Sequence, residues 1–204
     1  MGAGSDIRAV VFDVDGVLVE IRFPTVLPDA LSISPDDANE FFAGPFLDCL
    51  MGSAQLRDAL PPYLAKWGWK GSFEEFTDFW FEEESRIYHP TLEFADRLRA
   101  KGLRCFLAST QEHLRAQYLE RRLGVGERFE RAFFSCRLGC RKPDQKFYAA
   151  VAAEIGLPPN EILLLDDQTQ NVEGAVAMGW HAALFRIGDD PDALLPSFGL
   201  RHEA

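Results

Sequence analysis

The feature of this sequence that most constrains its fold is a repeated order of apolar run, helical segment and glycine. Apolar runs of strand length lie at residues 8–12, 103–108, 162–165 and 181–185, with a weaker one at 132–135. Helical patterns at residues 91–101, 112–123, 144–155 and 171–178 each end directly before a glycine. Glycine is the usual residue at a left-handed helix C-cap. Strands alternating with helices predict an α/β fold, a Rossmann-like parallel sheet with helices on both faces.

Residues 19–89 interrupt this order. They contain no strong strand pattern, but Ser72 and Glu75 form a capping-box signature ahead of a segment rich in large aromatic residues. Such aromatic stripes at helical spacing are typical of a packed helical core. We therefore predict a core domain of residues 1–18 and 90–204 and a helical cap domain of residues 19–89.

The charge and the polarity of the chain exclude several classes of partner. The 204 residues carry 32 acidic and 21 basic side chains, a formal net charge of −11, and no basic run compensates for it, which argues against nucleic acid. No apolar run approaches the roughly 18 residues that span a bilayer. The first residues, MGAGSDIR, lack a secretory pattern, and four scattered cysteines form no disulfide framework. We expect a cytoplasmic protein without a membrane partner, and the sequence leaves monomer or homodimer open.

The first apolar run ends in Asp13-Val14-Asp15-Gly16. Side chains at positions i and i+2 of an extended chain point the same way, so Asp13 and Asp15 can face one site. The carboxyl end of a strand is where open α/β sheets bind ligands. Two adjacent carboxylates repel each other, and a divalent cation would offset that repulsion. A plain Asx turn that closes the strand explains the same residues equally well when the segment is taken alone.

Three other strand ends carry polar side chains that an apolar core does not explain. Ser109 and Thr110 follow the second run, Lys142 precedes a helix, and the fourth run ends in Asp166-Asp167. The carboxyl ends of parallel strands meet at one edge of a sheet, so these groups are expected near Asp13. Four such segments in this order make coincidence a poor explanation.

The four segments, taken in order, resemble the motifs of the haloacid dehalogenase-like hydrolases, and most closely the subgroup with a helical cap between the first and second motifs. The sequences around the later motifs agree as well: LASTQEHLRAQYL, KPDQKFY and LDDQTQNVEGAVAMG. The resemblance covers residues 7–18 and 90–187. The insert matches the subgroup only in its position and helical character.

The resemblance implies that Asp13 is a nucleophile that carries a phosphoryl group as an aspartyl-phosphate. Asp15 would protonate the leaving oxygen and then act as base for the attacking water. The resemblance also implies Mg²⁺ as cofactor, bound by Asp13, the backbone carbonyl of Asp15 and Asp167. Asp166 would support that site from behind Asp167, and an exchange of roles between the two stays open.

For the phosphoryl group itself, the resemblance implies contacts from Ser109, the backbone of Thr110 and Lys142. The lysine would also offset the charge of the acidic cluster. Asn171 is expected to orient the loop after the fourth motif.

Asp15 favours one reaction class within the family. The dehalogenases lack this second aspartate, because a halide leaving group needs no proton and an alkoxide does. We therefore predict a phosphatase that hydrolyses a small phosphomonoester, with a sugar phosphate as one example of such a phosphorylated metabolite. A phosphomutase on the same core and a phospho-ligand binding protein without turnover are the alternatives.

Substrate contacts from the cap are the least determined part of the sequence. Glu20, Arg22 and Phe23 follow the first motif, and His113 follows the second, so these four are our candidates for contact with the substrate. Arg22 could pair with a second anionic group, and a surface ion pair explains it equally well.

Overall fold

A computed structural model of the chain describes residues 7–83 and 86–199. Its centre is a parallel sheet of β1 (Ala9–Phe12), β2 (Arg104–Ser109), β3 (Arg131–Phe134), β4 (Ile162–Asp166) and β5 (His181–Leu184). The strand order is β3-β2-β1-β4-β5, with every neighbouring pair parallel. The predicted α/β class is confirmed. The order reverses between β1 and β4, which is the switch point at which such sheets bind ligands.

In residues 13–83, all of which the structure describes, six helices precede the helix that returns to the sheet. They are α1 (Phe23–Leu31), α2 (Pro35–Phe42), α3 (Phe46–Leu50), α4 (Leu56–Ala59), α5 (Pro61–Lys66) and α6 (Phe73–Glu83). The capping box predicted ahead of α6 is confirmed, because Ser72 N–H donates to Glu75 Oε2 at 2.6 Å and Glu75 N–H donates to Ser72 Oγ at 3.1 Å.

The remaining helices cover the sheet. They are α7 (His89–Ala100), α8 (His113–Leu123), α9 (Ser135–Leu138), α10 (Gln145–Ile155), α11 (Thr169–Ala177) and α12 (Pro191–Leu194). Gly124 and Gly156 end α8 and α10 with φ of 69° and 73°, so the predicted left-handed C-caps form.

The two faces of the sheet are buried by different helices, and β1 shows why its sequence is continuously apolar. Val10 and Phe12 belong to the same buried cluster as residues of α7 and α8. Ala9 and Val11, on the opposite face, belong to the cluster formed with α10 and α11. A strand buried on both sides holds its carboxyl end, and therefore Asp13, in a fixed position.

The insert has a hydrophobic cluster of its own, which includes Phe41, Phe76 and Trp80, and it packs against Leu114 and Tyr118 of α8. Its two connections to the core run side by side. Glu20 N–H donates to the carbonyl of Arg86 at 3.0 Å, and Tyr88 N–H donates to the carbonyl of Leu18 at 2.8 Å. The boundaries 19–89 for a cap domain stay a prediction.

No helix in the ranges 7–83 and 86–199 combines the length and the apolar character that crossing a membrane requires.

Candidate active site

Asp13 lies at the end of β1 and is only 6% exposed. Val14 N–H donates to its Oδ1 at 2.7 Å, and its Oδ2 is 2.9 Å from Lys142 Nζ. Burial raises the pKa of Asp13, Lys142 lowers it, and the carboxylates of Asp166 and Asp15 raise it, with a net result of about 7. The carboxyl is held in one orientation, and additional positive charge would favour its ionised form.

Lys142 is the cation that joins the acidic side chains. Its ammonium group contacts Asp13 and also Asp166 Oδ2, at 2.5 Å from the latter, and the residue is 6% exposed. Burial alone would lower the pKa of Lys142, but these two carboxylates raise it above its usual value. The lysine therefore remains charged and lies beside the Asp13 carboxylate.

Asp166 and Asp167 end β4 with different surroundings. Asp166 is fully buried; besides Lys142 it accepts hydrogen bonds at Oδ1 from Gln168 N–H and from Asn171 Nδ2, both at 2.9 Å. Asp167 is half-buried and accepts a bond from Gln168 Nε2 at 2.9 Å. Both oxygens of Asp166 are thus engaged by protein donors, which favours Asp167 as the direct metal ligand.

Gly16 explains how Asp167 comes so near the first motif. Its φ is +77°, and a Cβ at this position would lie 2.5 Å from Asp167 Oδ2. A side chain at residue 16 would push the Asp167 carboxylate away from Asp13.

The donor set fits a hard divalent cation. One carboxylate oxygen from each of Asp13, Asp166 and Asp167 lies within 4.8 Å of the other two. Burial, and then the proximity of Asp166, raises the pKa of Asp167. Four carboxylates at this edge, including Asp15, face the two cations Lys142 and Arg115, so negative charge is in excess. Oxygen ligands with excess negative charge are what Mg²⁺ and Ca²⁺ bind.

Asp15 is held by two residues to which the sequence patterns gave no role. Gln111 Nε2 donates to Asp15 Oδ2 at 2.6 Å, and Arg115 Nη2 donates to Asp15 Oδ1, also at 2.6 Å. Arg115 Nε in turn donates to Gln111 Oε1 at 3.1 Å, so the three side chains form a closed triangle. Arg115 is 3% exposed, and a buried charge-assisted pair of this kind fixes a carboxylate firmly.

Gln111 also connects Asp15 to the second motif, because its Nε2 lies 3.2 Å from Ser109 Oγ. The positions of these two residues gave one indication that they belong to the site. Gln111 follows Ser109 by two residues, and Arg115 lies in the first turn of α8. The pairing with Asp15 was not predictable from spacing, since 96 and 100 residues separate the partners.

A cavity of about 540 Å³ lies between the insert and the core, and Asp15, Thr110, Gln111 and Arg115 form its core side. Its cap side is mainly apolar, with Leu27, Leu50 and three aromatic rings, those of Phe42, Phe46 and Trp80. The aromatic stripe of the insert is therefore partly core, as predicted, and partly a cavity wall.

Two of the predicted cap contacts, Glu20 and Arg22, are not among the described residues that line this cavity, and their contact with substrate stays a prediction. Glu20 and Arg22 border a separate shallow depression beside Gly16 and Asp167. They form ion pairs within the insert and its connections, at 3.7 Å from Arg86 and 3.5 Å from Glu83 respectively. His113 begins α8 and is not among the described residues that line the cavity. The side chain of Phe23 lies outside the described part of the chain.

Comparisons with known proteins agree with this arrangement. A family model described as haloacid dehalogenase-like hydrolase matches residues 7–179. A phosphorylated carbohydrates phosphatase from Thermotoga maritima is 25% identical over 183 residues, which cover 84% of this chain and 82% of that one.

Two solved structures illustrate the range of the fold's chemistry. A HAD family enzyme from Bacteroides thetaiotaomicron, in complex with magnesium and inorganic phosphate, superposes with a TM-score of 0.80 at 20% identity, covering 92% of this chain and 98% of that one. An L-2-haloacid dehalogenase from Xanthobacter autotrophicus, with chloropropionic acid covalently bound, gives 0.65 at 21% identity, covering 93% and 81%. At these identities the likeness shows the fold alone.

Proposed function

The chain belongs to the haloacid dehalogenase-like hydrolases, and from that premise we propose that it is a magnesium-dependent phosphatase that hydrolyses a small phosphomonoester through an aspartyl-phosphate. The observation that carries the proposal is the different surroundings of two neighbouring carboxylates. Asp13 faces Lys142 and the acidic cluster, whereas Asp15 is on the wall of the cavity. A phosphoryl group at Asp13 would thus have its alcohol directed past Asp15 into the cavity.

In the first step, a carboxylate oxygen of Asp13 attacks phosphorus and the bond from phosphorus to the alcohol oxygen breaks. Asp15 gives its proton to the departing alkoxide. Lys142 offsets negative charge as it builds up on the phosphoryl oxygens, and Ser109 and the Thr110 backbone are suited to hold those oxygens. Asp13 then carries the phosphoryl group as a mixed anhydride.

In the second step, water attacks the phosphorus of the aspartyl-phosphate. Asp15, now ionised, accepts a proton from that water, and inorganic phosphate leaves with Asp13 regenerated. Gln111 and Arg115 hold the Asp15 carboxylate in place through both proton transfers, so we assign them as positioning residues.

Magnesium, when bound, supplies positive charge that neutralises the phosphoryl oxygens and the ionised nucleophile. Asp13 and Asp167, with the backbone carbonyl of Asp15, are the proposed ligands, and Asp166 with Asn171 holds the loop that carries Asp167. The acidic side chains that gather at Asp13 and the activity named for the Thermotoga relative support the assignment.

The first experiment measures phosphate release from acetyl phosphate, p-nitrophenyl phosphate and a panel of alkyl and sugar phosphates, with magnesium and with EDTA. We expect release that needs magnesium and that falls by about 10⁴-fold or more in Asp13→Asn, by comparison with the loss of other enzymatic nucleophiles. Asp78→Asn, at an exposed position of α6, is the matched control and should retain full activity. Magnesium-dependent release that persists in Asp13→Asn would rule out Asp13 as the nucleophile.

A further inference from the structure

Asp15 lies on the wall of the cavity between the insert and the core, and the other residues of that wall indicate which class of alcohol the phosphate ester contains. Resting on the proposed phosphatase function, we propose that the substrate is the phosphomonoester of an uncharged, largely apolar alcohol whose hydrocarbon or aromatic body fills this cavity. Three properties of the cavity carry the assignment: its rigid aromatic wall, its charge and its size.

The aromatic rings of the cavity wall are held in place by contacts with one another and need no ligand to order them. The ring centroids of Phe42 and Phe46 are 5.3 Å apart, and each lies 5.5 Å from that of Trp80. Phe42 packs edge-to-face against both Phe46 and Trp80, and the rings of Phe46 and Trp80 are tilted at 52° to each other. Rings that already pack against one another keep their positions, so a ligand binds without having to order them. Trp80 and the neighbouring Leu27 are at most 3% exposed. The half-buried rings of Phe42 and Phe46 offer carbon surface to a ligand, and the buried Trp80 packs against both of them.

The charge of the cavity argues against a second anionic group. Among the described residues on its wall, Arg115 is the only cationic side chain, and its guanidinium bonds Asp15. Asp36 and Asn39, both exposed residues of α2, are the polar groups on the cap side. Asp36 would repel a second phosphate or a carboxylate. A bisphosphate or a phosphorylated acid therefore finds no cation on the cap side of the described wall.

The same wall is unfavourable for a sugar. Each hydroxyl buried against Leu27 or the three aromatic rings would lose its hydrogen bonds to water without gaining a protein partner. The cavity volume of about 540 Å³ falls inside the range of roughly 300–1,000 Å³ in which drug-sized ligands are held. An alcohol with an extended apolar body would fill this volume and bury its carbon surface against the apolar wall.

The test is a chain-length series. We would measure kcat/KM with magnesium for ethyl, butyl and hexyl phosphate, for 1-naphthyl phosphate, and for glucose 6-phosphate. The primary alkyl esters have leaving groups of nearly equal basicity, so differences among them report burial of the chain. We expect kcat/KM to rise about fourfold for each methylene group added. We also expect hexyl phosphate, whose leaving group is likewise a primary alkoxide, to exceed glucose 6-phosphate at least tenfold.

Matched variants locate the effect in the cavity. Phe46→Asn places an amide in the wall and should flatten the series, with a loss for hexyl phosphate of about tenfold or more and little change for ethyl phosphate. Phe79→Asn changes another half-buried phenylalanine of the insert that is not among the described wall residues, and should keep the slope. Leu50→Asn is the second cavity variant, for use if Phe46→Asn fails to fold by circular dichroism.

The possible failures are distinguishable. Magnesium-dependent release from short esters with no chain-length dependence, or with glucose 6-phosphate preferred, would overturn the apolar substrate and leave the phosphatase intact. A slope that survives in both cavity variants would also overturn it. No release from any ester or from acetyl phosphate would overturn the proposed phosphatase itself.

Discussion

The two sides of the candidate site are built by different physical means. On the core side, Asp13, Lys142 and Asp166 lie at the ends of buried strands and connecting loops, and each charged group is fixed by hydrogen bonds or ion pairs. On the cap side, Phe42, Phe46 and Trp80 fix one another by ring packing, with no charge among them. On the proposed function, electrostatic preorganisation suits the phosphoryl group, which every substrate would share. Shape and apolar surface suit the alcohol, which differs between substrates.

Mutations on the two sides of the site are therefore expected to have different effects. A change on the core side alters charges that are buried and coupled, so it affects stability and every substrate alike. A change on the cap side alters contact area, so it affects only those substrates that reach the wall. Asp15 lies between the two, and the triangle with Gln111 and Arg115 couples the chemistry to the leaving group.

The largest effect on the core side is expected from Lys142→Met. Removal of the lysine leaves Asp13 and Asp166 as two buried carboxylates without their shared cation, which costs about 3–5 kcal/mol of unfolding free energy. Chemical denaturation in EDTA measures it, with Lys146→Met on the exposed side of α10 as control. A loss below about 1 kcal/mol would show that the lysine does not hold the two carboxylates together.

Arg115→Lys tests the coupling of the two sides. Lysine keeps the charge but cannot contact both Asp15 and Gln111 with a planar fork, so Asp15 becomes less well placed to protonate an alkoxide. We expect kcat for hexyl phosphate to fall by about 10²-fold, and kcat for p-nitrophenyl phosphate to fall much less, because nitrophenolate leaves without a proton. Equal losses for both esters would mean that Arg115 acts structurally rather than through Asp15.

Magnesium should stabilise the protein, and more strongly at high pH. Burial raises the pKa of Asp13 to about 7, well above that of an aspartate in the unfolded chain. Without metal, the stability linked to this proton is present at acidic pH and is lost as the pH rises through about 7.

The magnesium ion competes with the proton of Asp13 for the carboxylate. Its contribution to the free energy of unfolding therefore grows over the pH interval in which Asp13 ionises, and becomes constant at higher pH. Saturation at about 100 times Kd would add about 2.7 kcal/mol. Thermal melts at pH 6 and pH 8, with and without magnesium, measure the difference, and Asp167→Asn should remove most of it. A magnesium effect independent of pH would exclude Asp13 from the ligand set.

The smallest effect is expected from Arg22→Gln. The ion pair of Arg22 with Glu83 spans 3.5 Å between partly exposed side chains, and such pairs contribute about 0–1 kcal/mol. Melting temperature and kcat/KM for hexyl phosphate should stay nearly unchanged. A KM that rises only for substrates with a second anionic group would show that Arg22 contacts the substrate and that the cap side of the site carries a cation.

Local patterns predicted most of the fold. The apolar runs became β1 to β5 within one or two residues. The inner strands β1, β2 and β4 are buried on both faces and must be continuously apolar, whereas the edge strand β5 is only partly buried. Glycines ended the helices where the predicted C-caps require a positive φ, as at Gly124 and Gly156. The capping box of Ser72 and Glu75 formed because it depends on residues three apart.

For the site, the sequence by itself determined which groups meet at the sheet edge. Parallel strands bring their carboxyl ends together, so Asp13, Asp166 and Asp167 converge. Lys142 lies in the loop between α9 and α10, and the resemblance to the family, rather than strand pairing, predicted it at this edge. The catalytic roles of these residues remain predictions. Only the tertiary structure decided that Gln111 and Arg115 hold Asp15, that Glu20 and Arg22 border a different depression, and that three aromatic rings of the insert line a cavity. These features depend on how the insert packs on α8 across about a hundred residues of chain, and neither residue spacing nor periodicity reports a packing angle.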